Sequence, residues 1–316
     1  MILPNFNGKY KLLKKTNYNY LKILIFKFVI FILYFFYKYF LMLKNIFLAS
    51  YPKSGNTWIR AIIGNLYNFD KDFSLKTLKS IPFLSIKKNF NEFENKFFSD
   101  NNFLHFDWVS QNIIECQKIL NNKSNHLNIF KTHSVRHKKF TNETVNAGFI
   151  YIVRDPRDIV VSFKNFSGKK FDEIINELIF QKKLMINTNG AKELLSTWDL
   201  HVQSWLNYNT VPRLIIKYED LKLNPKEVVL NIKEFLNKIH KLKIDLSDQH
   251  IDKIIENTNF NNLSKLENQN GFDEATKYSK FFRSGKSNQW KDILSKTQVQ
   301  LIENNLQTSM KYLNYI

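Results

Sequence analysis

Cysteine is nearly absent: Cys116 stands alone, which excludes a disulfide framework and any metal site built from several thiolates. The seven histidines are scattered. Of these, the tight pair His133 and His137 lacks the adjacent glutamate of a zinc-hydrolase helix, so no metal is expected. Proline and glycine are sparse, 6 and 8 in 316 residues, and neither gathers into a linker, which points to one large catalytic domain. The G-x-x-x-x-G-K-[ST] loop of nucleoside-triphosphate enzymes is missing. Acidic residues are also short, 28 against 47 basic, for a net charge of +19. That balance suits a nucleic acid, an anionic membrane or a polyanionic small ligand. The basic residues are spread along the chain rather than clustered, and Lys, Asn, Ile and Phe are enriched together, as in AT-biased coding. No nucleic-acid partner is inferred. With 44% apolar and 24% charged residues, the chain is globular rather than disordered.

Residues 1–22 are rich in lysine and asparagine, and the run ILIFKFVIFILYFFYKYFLML at 23–43 is interrupted only by Lys27 and Lys38. About 20 helical residues cross a hydrocarbon core. The two lysines share a stripe and lie toward opposite ends, where both can snorkel. No small-residue cleavage site follows. Residues 1–44 therefore read as a basic arm and a hydrophobic helix that spans the membrane, lies at its interface or packs on the domain. Membrane association with a cytoplasmic catalytic domain is expected, a soluble cytoplasmic protein being the alternative. Residues 45–316 form the catalytic domain.

From residue 45 the pattern alternates strand and helix. IFLASY (46–51) precedes a helical spacing at 57–67. LNIFK (127–131), GFIYIVR (148–154) and LIIKY (214–218) read as buried strands, and 225–237 as a helix. Asp155-Pro156 is an N-cap followed by proline at the first helical position. Insertions at about 70–120 and 171–208 read as mainly helical, with Trp198, His201 and Trp205 on one face. The expected fold is α/β: a P-loop-like parallel sheet flanked by helices on both faces, with ligands at the carboxyl ends of its strands and a hydrophobic helix at the amino terminus.

Chemistry concentrates where strands end. Tyr51-Pro52-Lys53-Ser54-Gly55-Asn56-Thr57-Trp58 joins a strand to a helix whose amino-terminal N–H groups suit an anion. Lys53 adds a charge there, Ser54 and Thr57 hydroxyl donors, Asn56 an amide donor, and Gly55 a close backbone approach. Arg154 at a strand end and Ser162 eight residues on can converge on one phosphate. Phe130-Lys131-Thr132-His133 closes another strand, and an imidazole suits proton abstraction.

PKSGNTW resembles the 5′-phosphosulfate loop of sulfotransferases that use 3′-phosphoadenylyl sulfate (PAPS), with Asn56 where threonine is commoner. Four further segments match in order. Arg154 and Ser162 correspond to the 3′-phosphate site. The resemblance makes His133 the base, with Lys131 and Lys53 stabilising charge. Trp58, Tyr218 (in YEDL), Thr258 and Phe260 (in TNF) would line the adenine. Phe282, Arg283 and Gly285 belong to a segment similar to F-x-R-K-G-x-x-G-D-W. There Ser284 replaces lysine and Asn288-Gln289 replace Gly-Asp, with Lys286 a possible substitute charge. The resemblance implies sulfuryl transfer from PAPS, without a metal, to a hydroxyl or amine of a small-molecule, lipid or glycan acceptor. A P-loop kinase-like protein and a catalytically degenerate nucleotide-binding member are the alternatives. No oligomeric state is specified.

Overall fold

Short runs of apolar residues without polar alternation become strands buried on both faces. In this computed structural model, which describes residues 22–32, 43–69, 72–98, 104–124, 126–188, 191–240 and 244–316, such runs form the central sheet. Its strands are β1 (Asn45–Ser50), β2 (Asn128–Thr132), β3 (Asn146–Val153) and, later in the chain, β6 (Arg213–Lys217). β1 and β3 are buried along their whole length. The order is β2-β1-β3-β6 with every pairing parallel. β4 (Met185–Thr188) and β5 (Ala191–Leu194) pair separately as an antiparallel hairpin.

Side-chain parity divides the core. Phe47, Ala49, Phe149, Tyr151 and Val153 share one cluster with Trp198, Trp205 and Cys116. Helices α3 (Phe106–Lys123), α4 (Pro156–Ser167), α5 (Phe171–Phe180), α6 (Trp198–Leu206) and α12 (Lys296–Tyr312) supply much of the rest, with residues outside them such as Leu84 and Phe90. Ile46, Leu48, Ile150 and Ile152 are also buried. Toward their side lies α8 (Pro225–His240), so close that a Cβ on Gly148 would sit 2.6 Å from Ile239 Cδ1. Helices α2 (Asn56–Leu66) and α9 (Asp248–Thr258) pack with α8. Helices α7 (Asp220–Leu223), α10 (Phe260–Asn270) and α11 (Trp290–Ile293) complete this unit. The sheet is thus parallel and helix-covered, as expected, and Asp155 caps α4 by accepting from the Arg157 N–H at 2.9 Å.

Two expectations change. The 171–208 insertion is not mainly helical, because the β4–β5 hairpin separates α5 from α6. An Asn189-Gly190 turn dipeptide between two short alternating runs carries that signal in the sequence. In the 70–120 insertion, the described residues before α3 hold short 3₁₀ turns at Leu75–Ser80 and Lys87–Phe90 and isolated bridges at Phe83 and Phe98, with no α-helix among them. Contacts divide the chain into the units Met1–Leu43 and Lys44–Ile316. In the first, residues 22–32 are helical (α1), with Phe26 and Phe31 exposed, and residues 33–42 of the expected hydrophobic helix lie outside the described residues. Among the described residues no helix is long and apolar enough to cross a membrane. The expected membrane association has no support in the structure.

Candidate active site

β1 has β2 on one side and β3 on the other, so connections leave in opposite directions and a crevice opens at the carboxyl ends. Each strand of the sheet delivers a candidate site residue there. Lys53 follows β1, Lys131 and His133 close β2, Arg154 follows β3 and Tyr218 follows β6. All five line one cavity of about 350 Å³, together with Gly55, Asn56, Thr57, Trp58, Ser162, Phe260, Phe282, Arg283 and Gly285. Two expected site residues do not reach it. Ser54 is buried beside the loop with its hydroxyl unpartnered. Thr258 donates its hydroxyl to the Ile254 carbonyl at 2.7 Å and lines a second cavity of about 440 Å³. Trp58, Phe260 and Gly285 border both cavities.

The loop after β1 is bent tightly. Lys53 takes a positive φ of 67° and Gly55 one of 100°. At Gly55 a Cβ would stand 2.7 Å from the Tyr218 ring, so only glycine allows this approach. Asn56 and Thr57, the first two residues of α2, have N–H groups with no intrahelical partner, and both residues line the cavity. The Asn56 side chain is spent elsewhere: its amide donates to the Leu48 carbonyl and the Ser50 hydroxyl, both at 3.1 Å. The donor expected from that side chain serves the sheet, so the backbone N–H of Asn56 is the donor left for a ligand, while its Oδ1 is buried without a partner.

Lys53 Nζ lies 4.1 Å from the centroid of Phe166 and 4.2 Å from that of Phe281. No carboxylate pairs with it among the described residues. Burial, reinforced by Lys131 and Arg154, pushes its pKa down to about 7. Arg154 stacks 4.0 Å over the Tyr218 ring and donates to the carbonyls of Lys53 (3.0 Å) and Lys286 (2.9 Å). Its Nε is buried without a partner. Asp158, one helical turn on, accepts from the backbone N–H groups of Asn288 and Trp290 at 2.7 and 3.2 Å. The carboxy-terminal segment is thereby held against α4. The Lys286 side chain borders the second cavity, not the first. Arg283 and Ser284 both donate to the Gln289 side chain, at 3.1 and 3.0 Å.

His133 is fixed from behind. Its Nδ1 lies 2.7 Å from the Ser50 carbonyl oxygen. That oxygen can only accept, so Nδ1 carries the proton and Nε2 keeps its lone pair. Burial, with Lys131 adding to it, holds the imidazole well below its ordinary pKa. The His133 N–H donates to Glu193 at 3.1 Å, and its carbonyl accepts from His201 Nε2 at 3.2 Å. Tyr151 donates in turn to His201 Nδ1 at 3.0 Å. Lys131 packs 3.9 Å over Phe83 and pairs with Glu274 at 2.9 Å. Sequence reading missed Glu193, Glu274 and Phe166, whose partners lie far away in sequence.

The residues present fit a nucleotide carrying phosphates at both ends. Lys53 has no paired carboxylate among the described residues, the Arg154 Nε is unsatisfied, and the rings of Trp58, Tyr218 and Phe260 line the same cavity as both cations. Known proteins resemble the chain in sequence and in fold. Rabbit (Oryctolagus cuniculus) amine sulfotransferase is 25% identical over 84% of this chain and 81% of its own. Cytosolic sulfotransferase 17 of Arabidopsis thaliana is 25% identical over 85% and 75%. The crystal structure of mouse sulfotransferase SULT7A1 complexed with PAP shares the fold, with a TM-score of 0.53 at 20% identity over 85% of each chain. The family model of the sulfotransferase domain matches residues 43–314, and the chain therefore belongs to the sulfotransferase family.

Proposed function

We propose that the protein transfers a sulfuryl group from PAPS to a hydroxyl or amine of a small-molecule acceptor. The observation that carries this reading is the convergence of Lys53, Lys131, His133, Arg154 and Tyr218 from four adjacent strand ends on one cavity. PAPS, when bound, supplies the activated sulfuryl group. Lys53 and the N–H groups at the start of α2 hold the 5′-phosphate side, while Arg154 and Ser162 hold the 3′-phosphate. Trp58, Tyr218 and Phe260 give the purine an aromatic enclosure. His133 Nε2 takes the proton from the acceptor, and Lys131 neutralises charge on the transferred group. The work of the protein is mainly positioning and charge stabilisation. The relatives' names include cytosolic enzymes, which supports a cytoplasmic location.

Thermal shift with adenosine 3′,5′-bisphosphate, AMP and ATP tests the nucleotide half. At a hundredfold excess over Kd the bisphosphate stabilises by about 2.7 kcal/mol, or roughly 5–10 °C for a domain of this size. AMP and ATP give less. Equal shifts from all three would remove the 3′-phosphate assignment. Transfer from labelled PAPS to a panel of phenols and amines tests the chemical half.

A further inference from the structure

Glu274 has no counterpart in the motifs that define the site, yet it occupies the centre of its charge. It sits between α10 and α11 and lines the same cavity as His133 and Lys53. Lys131 Nζ reaches one carboxylate oxygen at 2.9 Å, and the Thr57 hydroxyl reaches the same oxygen at 3.4 Å. Arg60 of α2 pairs with the other oxygen and donates to the Leu78 carbonyl at 2.8 Å. Two cations, each about 4% exposed, thus converge on one acid that is 20% exposed. Burying two like charges without that acid would be strongly unfavourable.

We propose that Glu274 is the positioning residue for Lys131, holding its ammonium at the end of β2 and keeping it charged where it faces the cavity. This rests on the sulfuryl-transfer reading above, in which Lys131 must be cationic. The groups that face Lys131 are Glu274, Arg60 of α2, Glu193 of β5, His133 at its own strand end and Lys53 of the β1 loop. Burial lowers the Lys131 pKa to about 8 even with Glu274 opposing it. Burial alone would raise the Glu274 carboxyl, but Lys131 and Arg60 outweigh it and hold the group at about 2. Glu274 is therefore ionised throughout the working range and is no proton donor. Its effect is a fixed negative charge.

Opposite substitutions give opposite signs. Glu274→Gln removes the anion and leaves Arg60 and Lys53 beside Lys131, so the ammonium loses its proton at lower pH. Arg60→Met removes a cation and moves that loss to higher pH. The readout is the titration midpoint of the Lys131 ε-methylene in ¹³C-lysine-labelled, ligand-free full-length protein, assigned by its disappearance in Lys131→Arg. The expected result is a midpoint lower by about one pH unit or more in Glu274→Gln and higher in Arg60→Met. The alkaline limb of turnover should move in the same two directions, and Glu274→Asp should restore it in part. Unchanged midpoints in both variants overturn the proposal. So does an unchanged midpoint with tighter bisphosphate binding in Glu274→Gln, which would make Glu274 a stand-in for the donor's anion. If Glu274→Gln does not fold, Arg60→Met decides alone, and a midpoint that fails to rise refutes the role. A wild-type protein that transfers nothing from PAPS sinks the preceding section instead, because these midpoints are read without ligand.

Discussion

His133 Nδ1 stands 2.7 Å from the Ser50 carbonyl, so the histidine at the end of β2 is locked by the last residue of β1. Neighbouring strands in parallel register thus decide which nitrogen is basic.

Because Nε2 is the free nitrogen, His133→Asn should lower kcat by about 10²–10⁴-fold, the usual worth of a general base. Affinity for adenosine 3′,5′-bisphosphate should stay within a factor of about three of wild type, since no nucleotide contact is assigned to His133. Calorimetry beside the steady-state rates separates the two. Parallel loss of rate and affinity would show a packing role only.

Lys53 makes nucleotide binding and folding respond to pH in opposite ways. In the folded protein its pKa lies near 7 because burial, Lys131 and Arg154 all disfavour the charge. In the unfolded chain it is an ordinary lysine near 10.4. Between about pH 7 and 8.5 the unfolded chain therefore binds more protons, and the contribution of Lys53 to stability rises with pH. Binding of an anion demands the charged lysine, so bisphosphate affinity falls over the same interval. Calorimetry in buffers of different ionisation enthalpy should record proton uptake on binding above pH 7. Zero uptake at pH 8 would contradict this.

Arg154 spends two nitrogens on carbonyls and stacks on Tyr218. Arg154→Met should cost about 2 kcal/mol or more of bisphosphate binding, as for other buried charge contacts. It should cost AMP far less. The measurement is the ratio of the two Kd values, and an unaltered ratio would move the 3′-phosphate elsewhere.

At Gly285, φ is 59° and a Cβ would stand 2.3 Å from the Phe260 ring. Gly285→Ala should displace that ring from Trp58, destabilise by ~1–3 kcal/mol and weaken bisphosphate binding at least about tenfold. Thermal melts and binding isotherms check both, and a variant with wild-type values in each would show that the loop relaxes freely.

The strand–loop–helix from Asn45 to Leu66 was legible in sequence because its signals are local: an apolar run, a proline, a glycine and a helical spacing. The same holds for β3 and Asp155-Pro156. Glu274 was not legible, since its partners Arg60 and Lys131 lie 214 and 143 residues away and no spacing rule joins them. Glu193 escaped notice for a related reason. Its role depends on the β4–β5 hairpin, and the helical spacing of Trp198, His201 and Trp205 drew the surrounding segment toward helix. Asn56 was misjudged at the side-chain level: amide chemistry predicts a donor, but only the fold decides that Leu48 and Ser50 receive it. Lys286 differs again, because its carbonyl rather than its charge meets Arg154.

One guanidinium grips the main chain at Lys53 and at Lys286, and so joins an early turn to a late one. Chimeras assembled from relatives should tolerate crossovers only when both turns and Arg154 come from the same parent. A hybrid mixing them would mismatch the clasp, however well each half folds separately. Inheritance of this cavity is in that sense all or none.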